Sequence, residues 1–128
     1  MVGARATVSP WTTGPARVLC PARRRVSMQE QDRVARFLDE QEMHADPAYR
    51  VLDLAAEVGE VAADAAKSAE YGAEPADIAV SEDELGDALF ALLATAEAFD
   101  IDAGTALASS LAKYERRLAD TGDAGSGE

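Results

Sequence analysis

Residues 81–93 read SEDELGDALFALL, an acidic cluster that runs without a break into an apolar run. Glu84 and Asp87 are three residues apart, so on a helix both carboxylates point the same way. Their neighbours Leu85, Ala88, Leu89, Leu92 and Leu93 are expected on a buried face. Carboxylates at the edge of a core cost free energy unless something cationic meets them. Ser81 reads as an N-cap with Glu84 at N3, the pattern of a capping box. That local role suffices for Glu84 taken alone, and anything more requires partners elsewhere in the chain.

The run 88–96 is apolar nearly all round, so a helix over about 82–99 should be central or covered by a second subunit. A linker over 73–80, containing Pro75, precedes it. Before the linker, about 48–69 places Val51, Leu54, Ala55, Val58, Val61, Ala62 and Ala65 at the spacing of an amphipathic helix. Tyr71-Gly72 is the expected stop, because glycine suits the left-handed residue that closes a helix. Asp46-Pro47 marks a stop and restart after a first helix over about 29–42, which puts Val34, Phe37 and Leu38 on one face. A last helix over about 102–120 is expected to bury Ala103, Leu107, Leu111, Tyr114 and Leu118, leaving Lys113, Arg116 and Arg117 on its other face. No strand-like alternation and no strong internal repeat is visible, so the fold class is all-α with four helices.

Length and charge narrow the possibilities further. A chain of 128 residues allows one small domain, and no stretch approaches the roughly 20 apolar residues of a membrane span. Residues 1–27 hold five arginines, three prolines and no acid, with no helical or strand period. They are expected to be a disordered leader or an over-extended reading frame, with Met28 as the true start and a domain over 28–120. Residues 121–128, TGDAGSGE, are expected to be a disordered tail. The single cysteine, Cys20, excludes an internal disulfide and fits a reducing cytoplasm. From residue 28 onward, seven basic groups face all 24 acidic ones, a net charge of −17. Such a surface repels nucleic-acid backbones, so neither nucleic acid nor membrane is an expected partner. Few lysines beside many acids and alanines resemble proteins of salt-loving microbes, where screening over about 3 Å at 1 M salt removes most of the self-repulsion.

The second helix offers a match for the opening stretch. Glu57 and Glu60 form an ExxE pair, with Asp64 seven residues after Glu57. If the second and third helices pack antiparallel, the two acidic pairs face each other. At ~5 Å and an effective dielectric of about 20, each carboxylate pair repels by roughly 3 kcal/mol. Four of them beside Leu and Val stay ionised only with a compensating charge. Either their pKa values rise or a hard divalent cation with oxygen ligands sits between them. In a chain this acidic, a single ExxE is ordinarily a solvated helix face.

The segments LDLAAEVGEVAAD (52–64), EDELGDALFALL (82–93) and KYERR (113–117) resemble, in that order, the MazG-like family of all-α nucleoside triphosphate pyrophosphohydrolases. The family's ExxE, spacer and ExxD are matched with 23 residues between Glu60 and Glu84. The resemblance implies a four-helix, oligomer-forming MazG-like bundle, as a homodimer or dimer of dimers. It also implies hydrolysis of (deoxy)nucleoside triphosphates to monophosphate and pyrophosphate, a house-cleaning of the nucleotide pool. Carried over by position, Glu57, Glu60, Glu84 and Asp87 bind Mg²⁺ (or Mn²⁺), with Glu60 and Glu84 as the catalytic acids. Lys113, Arg116 and Arg117 correspond to the late basic cluster that holds pyrophosphate, and Phe37 and Tyr49 are candidates for the base pocket. Two other readings compete. Phosphoribosyl-ATP pyrophosphohydrolases look similar but carry ExAD followed by Leu-Leu-Tyr-His, whereas Glu84-Leu85-Gly86-Asp87 is followed here by Ala88-Leu89-Phe90-Ala91. A non-enzymatic helical dimerisation or regulatory module is the other.

Overall fold

Three of the four long helices begin where a short polar side chain accepts an otherwise orphaned backbone N–H. Asp46 accepts from Ala48 at 2.9 Å, with Pro47 in the first helical position. Ser81 accepts from Glu84 at 3.3 Å, and Asp102 from Thr105 at 2.7 Å. A computed structural model describes residues 28–122 and residue 125, so the expectations for 1–27 and for most of 121–128 lie outside the described residues. Among the described residues the regular structure is all helical, with no strand: α1 (Gln29–Glu40), α2 (Pro47–Ser68), α3 (Glu82–Ala98) and α4 (Ala103–Thr121).

α3 is the central element, packed against α2 on one side and α1 on the other. Two hydrogen bonds set the register of α2 against α3. Near one end the Ser81 amide donates to Asp64 Oδ2 at 2.7 Å, and near the other Thr95 Oγ1 donates to the Arg50 carbonyl at 3.0 Å. The ties are fourteen positions apart on both helices, Arg50 to Asp64 and Ser81 to Thr95, so the pair runs antiparallel. α1 is held by the fully buried Gln31, whose amide donates to Glu97 (2.6 Å) and to the Ile101 carbonyl (2.8 Å) and accepts from the Ala103 amide (2.8 Å). The buried Arg50 donates to the Met43 carbonyl and pairs with Asp53 at 3.6 Å, which fixes the α1–α2 connection.

Among the described residues the buried apolar side chains are few: Leu38, Ala69, Ala91, Leu93, Ala94 and Ala96. Several residues expected inside the core are not. On α3, Leu93 is buried and Ala88 half-buried, but Leu85, Leu89 and Leu92 are exposed. On α2, Leu54, Val61 and Ala65 are half-buried while Val51, Ala55, Val58 and Ala62 are exposed. On α4, Ala103 is half-buried and Leu107, Leu111, Tyr114 and Leu118 are exposed. The reason is common to all three helices. Periodicity fixes which face is apolar, but among the described residues α2 packs mainly on α3, α4 has no extensive interface with α1, α2 or α3, and α3 itself is covered by α2 and α1 and not on its remaining face.

Helix ends also depart from expectation. α2 stops at Ser68 rather than at Tyr71-Gly72, because Glu70 (φ 45°), Tyr71 (φ 55°) and Gly72 (φ 94°) are all left-handed. The chain therefore turns before the glycine arrives. Pro75–Asp77 forms one 3₁₀ turn in the linker, where Ser68 Oγ accepts from the Ala79 amide at 2.8 Å. α4 ends on Gly122, whose φ of 73° and bond to the Leu118 carbonyl make it the closing residue.

Candidate functional site

The antiparallel register brings the two acidic pairs to the same level. Glu60 lies beside the Glu84–Leu85 position and Glu57 beside Asp87–Ala88, as the ties at Asp64 and Arg50 require. Glu84 records the result. It is half-buried, and its carboxyl is pushed above its ordinary value of 4.5, first by partial loss of water and then by the charges of Glu60, Asp64, Asp83 and Asp87. No cation figures among the groups that move it.

The capping-box role is taken away from Glu84. Its backbone amide does bond to Ser81, but the Ser81 amide, which a capping box would satisfy with the N3 carboxylate, donates to Asp64 instead. An acceptor from another helix has displaced the local one, so the Glu84 carboxylate has no capping duty at that amide. Asp64 therefore belongs to the site's architecture. Its place seven residues after Glu57 is the one sequence signal that points to it.

The carboxylates form a donor set of hard oxygens short of positive charge, and in chemistry this fits Mg²⁺ or Mn²⁺. As they stand, no three acidic, histidine or cysteine side chains among the described residues converge closely enough to hold a metal ion. Mutual repulsion opposes the convergence of like-charged side chains.

Beside the acids lies a cleft of about 550 Å³ between α1 and α3, lined by Glu30, Arg33, Val34 and Phe37 from α1 and by Gly86, Asp87, Leu89, Phe90 and Leu93 from α3. Asp87 thus belongs both to the acidic cluster and to the cleft wall. Phe37 and Phe90 meet edge to face, with centroids 5.9 Å apart and planes at 86°. Phe37 keeps 45% of its surface accessible, enough to receive a planar ligand. Glu30 and Arg33 were not singled out from the sequence, although positions 30, 33, 34 and 37 share one helical face.

The remaining expected site residues lie elsewhere. Tyr49 is 64% exposed and does not line the cleft. Lys113 stands over the Tyr114 ring at 4.8 Å, and Arg117 donates to the Gly125 carbonyl at 3.0 Å. Arg116 is exposed on the same helix. None of the three is among the charges felt by Glu84, and α4, which carries them, has no extensive interface with α2 or α3 among the described residues. His44, in the α1–α2 connection, pairs with the exposed Asp39 at 3.3 Å.

The family model of the MazG nucleotide pyrophosphohydrolase domain matches residues 45–121, more than half of the chain. The chain belongs to the MazG family. No curated protein and no solved structure matches it. The MazG match spans α2, α3 and α4, and with them all four ExxE and ExxD acids and the late basic residues. α1 lies outside it. The family points to nucleotide pyrophosphohydrolysis in general. Among the described residues no helix is long and apolar enough to cross a membrane.

Proposed function

We propose that this MazG protein is a Mg²⁺-dependent (Mn²⁺ being able to substitute) hydrolase of (deoxy)nucleoside triphosphates, releasing monophosphate and pyrophosphate in the cytoplasm. One observation carries the reading. Two antiparallel helices place four carboxylates level with one another, with no cation among the charges that shift Glu84, at the edge of a cleft of nucleoside size.

Glu57, Glu60, Glu84 and Asp87 would hold the metal, which supplies charge neutralisation for phosphate oxygens and acidifies the attacking water. The chain's own residues do the rest. Glu60, exposed and level with Glu84, orients the water through whichever oxygen is left unligated. Asp87 joins the phosphate end of the site to the α1–α3 cleft, where Phe37 and Phe90 offer apolar surface to the base. Lys113, Arg116 and Arg117 are assigned to the outgoing pyrophosphate. Because α4, which carries them, has no extensive interface with α2 or α3 among the described residues, this assignment goes with a homodimer or dimer of dimers. The exposed apolar faces of α2, α3 and α4 support such an assembly. The acid-rich, lysine-poor composition supports operation in a salt-rich cytoplasm.

Pyrophosphate release from the common ribo- and deoxynucleoside triphosphates, with Mg²⁺ or EDTA and at low and multimolar KCl, tests the reading. Mg²⁺-dependent release from at least one nucleotide is expected. None from any, with the helical circular-dichroism signal intact, would leave a binding or regulatory module instead.

A further inference from the structure

We infer that the α1 wall of the cleft selects guanine, through Glu30 and Arg33. The inference rests on the cleft being the nucleotide site proposed above. Three observations meet here: both residues line the cleft with Phe37 and Phe90, Asp87 lies on the opposite wall, and the cavity measures about 550 Å³.

Glu30 and Arg33 are three positions apart on α1, which sets their Cβ atoms about 5–6 Å apart on one face. Neither takes part in an ion pair or side-chain hydrogen bond among the described residues, in contrast to Arg36, Arg50 and Arg117. Their hydrogen-bonding capacities are opposite. The Glu30 carboxylate only accepts, through two oxygens, and the Arg33 guanidinium only donates, through a planar fork.

Guanine is the base that answers both at once. Its N1–H and N2–H₂ are adjacent donors on one edge, matching a carboxylate. Its O6 and N7 are adjacent acceptors on the next edge, matching a guanidinium. Adenine would set its N1 lone pair against the Glu30 carboxylate. Uracil and thymine offer one N–H between two acceptors, and cytosine one amine beside an acceptor nitrogen. With the triphosphate held at the acidic cluster by the cation proposed above, and Asp87 on the cleft wall, the base would lie towards Phe37 and Phe90, whose apolar surface receives its plane. A bidentate pair of this kind discriminates by roughly 10- to 100-fold.

Values of kcat/KM for GTP, ATP, CTP and UTP, with inosine triphosphate and 7-deaza-GTP as probes on the unmodified protein, test this directly. GTP is expected to exceed the other common nucleotides at least tenfold. Inosine triphosphate, lacking the N2 amine, and 7-deaza-GTP, lacking N7, should each lose several-fold. In Glu30→Gln and Arg33→Met the loss for GTP should exceed the loss for ATP by tenfold or more. Equal kcat/KM across the bases, or a guanine preference that survives both substitutions, would overturn the inference. If no nucleotide is hydrolysed the catalytic reading fails separately. Calorimetric titration with GTP and ATP in MgCl₂ still decides this one: tenfold tighter GTP binding, lost in Glu30→Gln, upholds it, and equal binding, or binding of neither, overturns it.

Discussion

Glu84 carries opposing consequences for stability and activity. Its folded-state pKa is raised, so between the ordinary value of 4.5 and the raised one the native chain holds more protons than the unfolded chain. Stability therefore falls as pH climbs through that window, and the whole penalty is present above it. Glu84→Gln removes the penalty. In metal-free protein the variant should melt at a higher temperature than the parent at pH 7–8, with the difference closing as pH falls below 4.5. Pyrophosphate release should at the same time disappear. Differential scanning calorimetry in EDTA across that pH range checks the first, and a variant less stable than the parent at neutral pH would contradict it. Of this residue the sequence showed the acidic surroundings but not the loss of its capping role. That loss depends on Asp64, seventeen residues upstream of Ser81 and brought in only by packing.

Between elements, the ties that matter are polar. Gln31 joins α1 to the end of α3 and the start of α4. Gln31→Ala would leave the Ile101 carbonyl, the Ala103 amide and the Glu97 carboxylate without that partner, at about 1–3 kcal/mol for each group left buried. A total near 3 kcal/mol is expected, read as a lower urea midpoint with the slope unchanged, and a loss below about 1 kcal/mol would mean the turn is held by something else. Asp64 separates charge from geometry in the α2–α3 tie. Asp64→Ala removes both the acceptor for the Ser81 amide and a charge that raises Glu84, whereas Asp64→Asn keeps an acceptor and removes the charge. Thermal melts should therefore rank the Asn variant above the Ala variant by about 1 kcal/mol, a capping-type hydrogen bond. Helices α2, α3 and α4 were legible from their apolar spacing, and the start of α3 also from its cap Ser81, since caps and periodicity are local. Gln31 was not, because a polar residue in the first turn of an amphipathic helix looks solvated until its partners arrive from 66 to 72 residues away.

For the whole molecule, the apolar faces and the charge act against each other. Leu107, Leu111 and Leu118 follow one stripe of α4 and are each about half exposed, while the chain as a whole carries a net charge of −12. The sequence gives both patterns, but what covers the stripe depends on a neighbour that no periodicity can name. Burying the stripe against a second copy removes apolar surface from water but brings two acidic bodies together, and ionic strength decides the balance. Screening shortens from about 10 Å at 0.1 M salt to about 3 Å at 1 M, so repulsion weakens while apolar burial does not. Association should strengthen with KCl, seen by light scattering as a shift from monomer mass towards dimer or tetramer. Leu111→Lys tests the stripe without confounding it with charge, because the substitution makes each copy less acidic and so lowers the repulsion. If the stripe is the interface, the variant should nonetheless dissociate. A leucine lost on both sides of a two-fold contact removes roughly 3 kcal/mol or more, about a hundredfold in affinity. The separated chains should also lose turnover, because Lys113, Arg116 and Arg117 would no longer be held near the acids of a partner. A Leu111→Lys variant that keeps both the parent's mass at 1 M KCl and its kcat would place the interface, and the basic residues' partner, elsewhere.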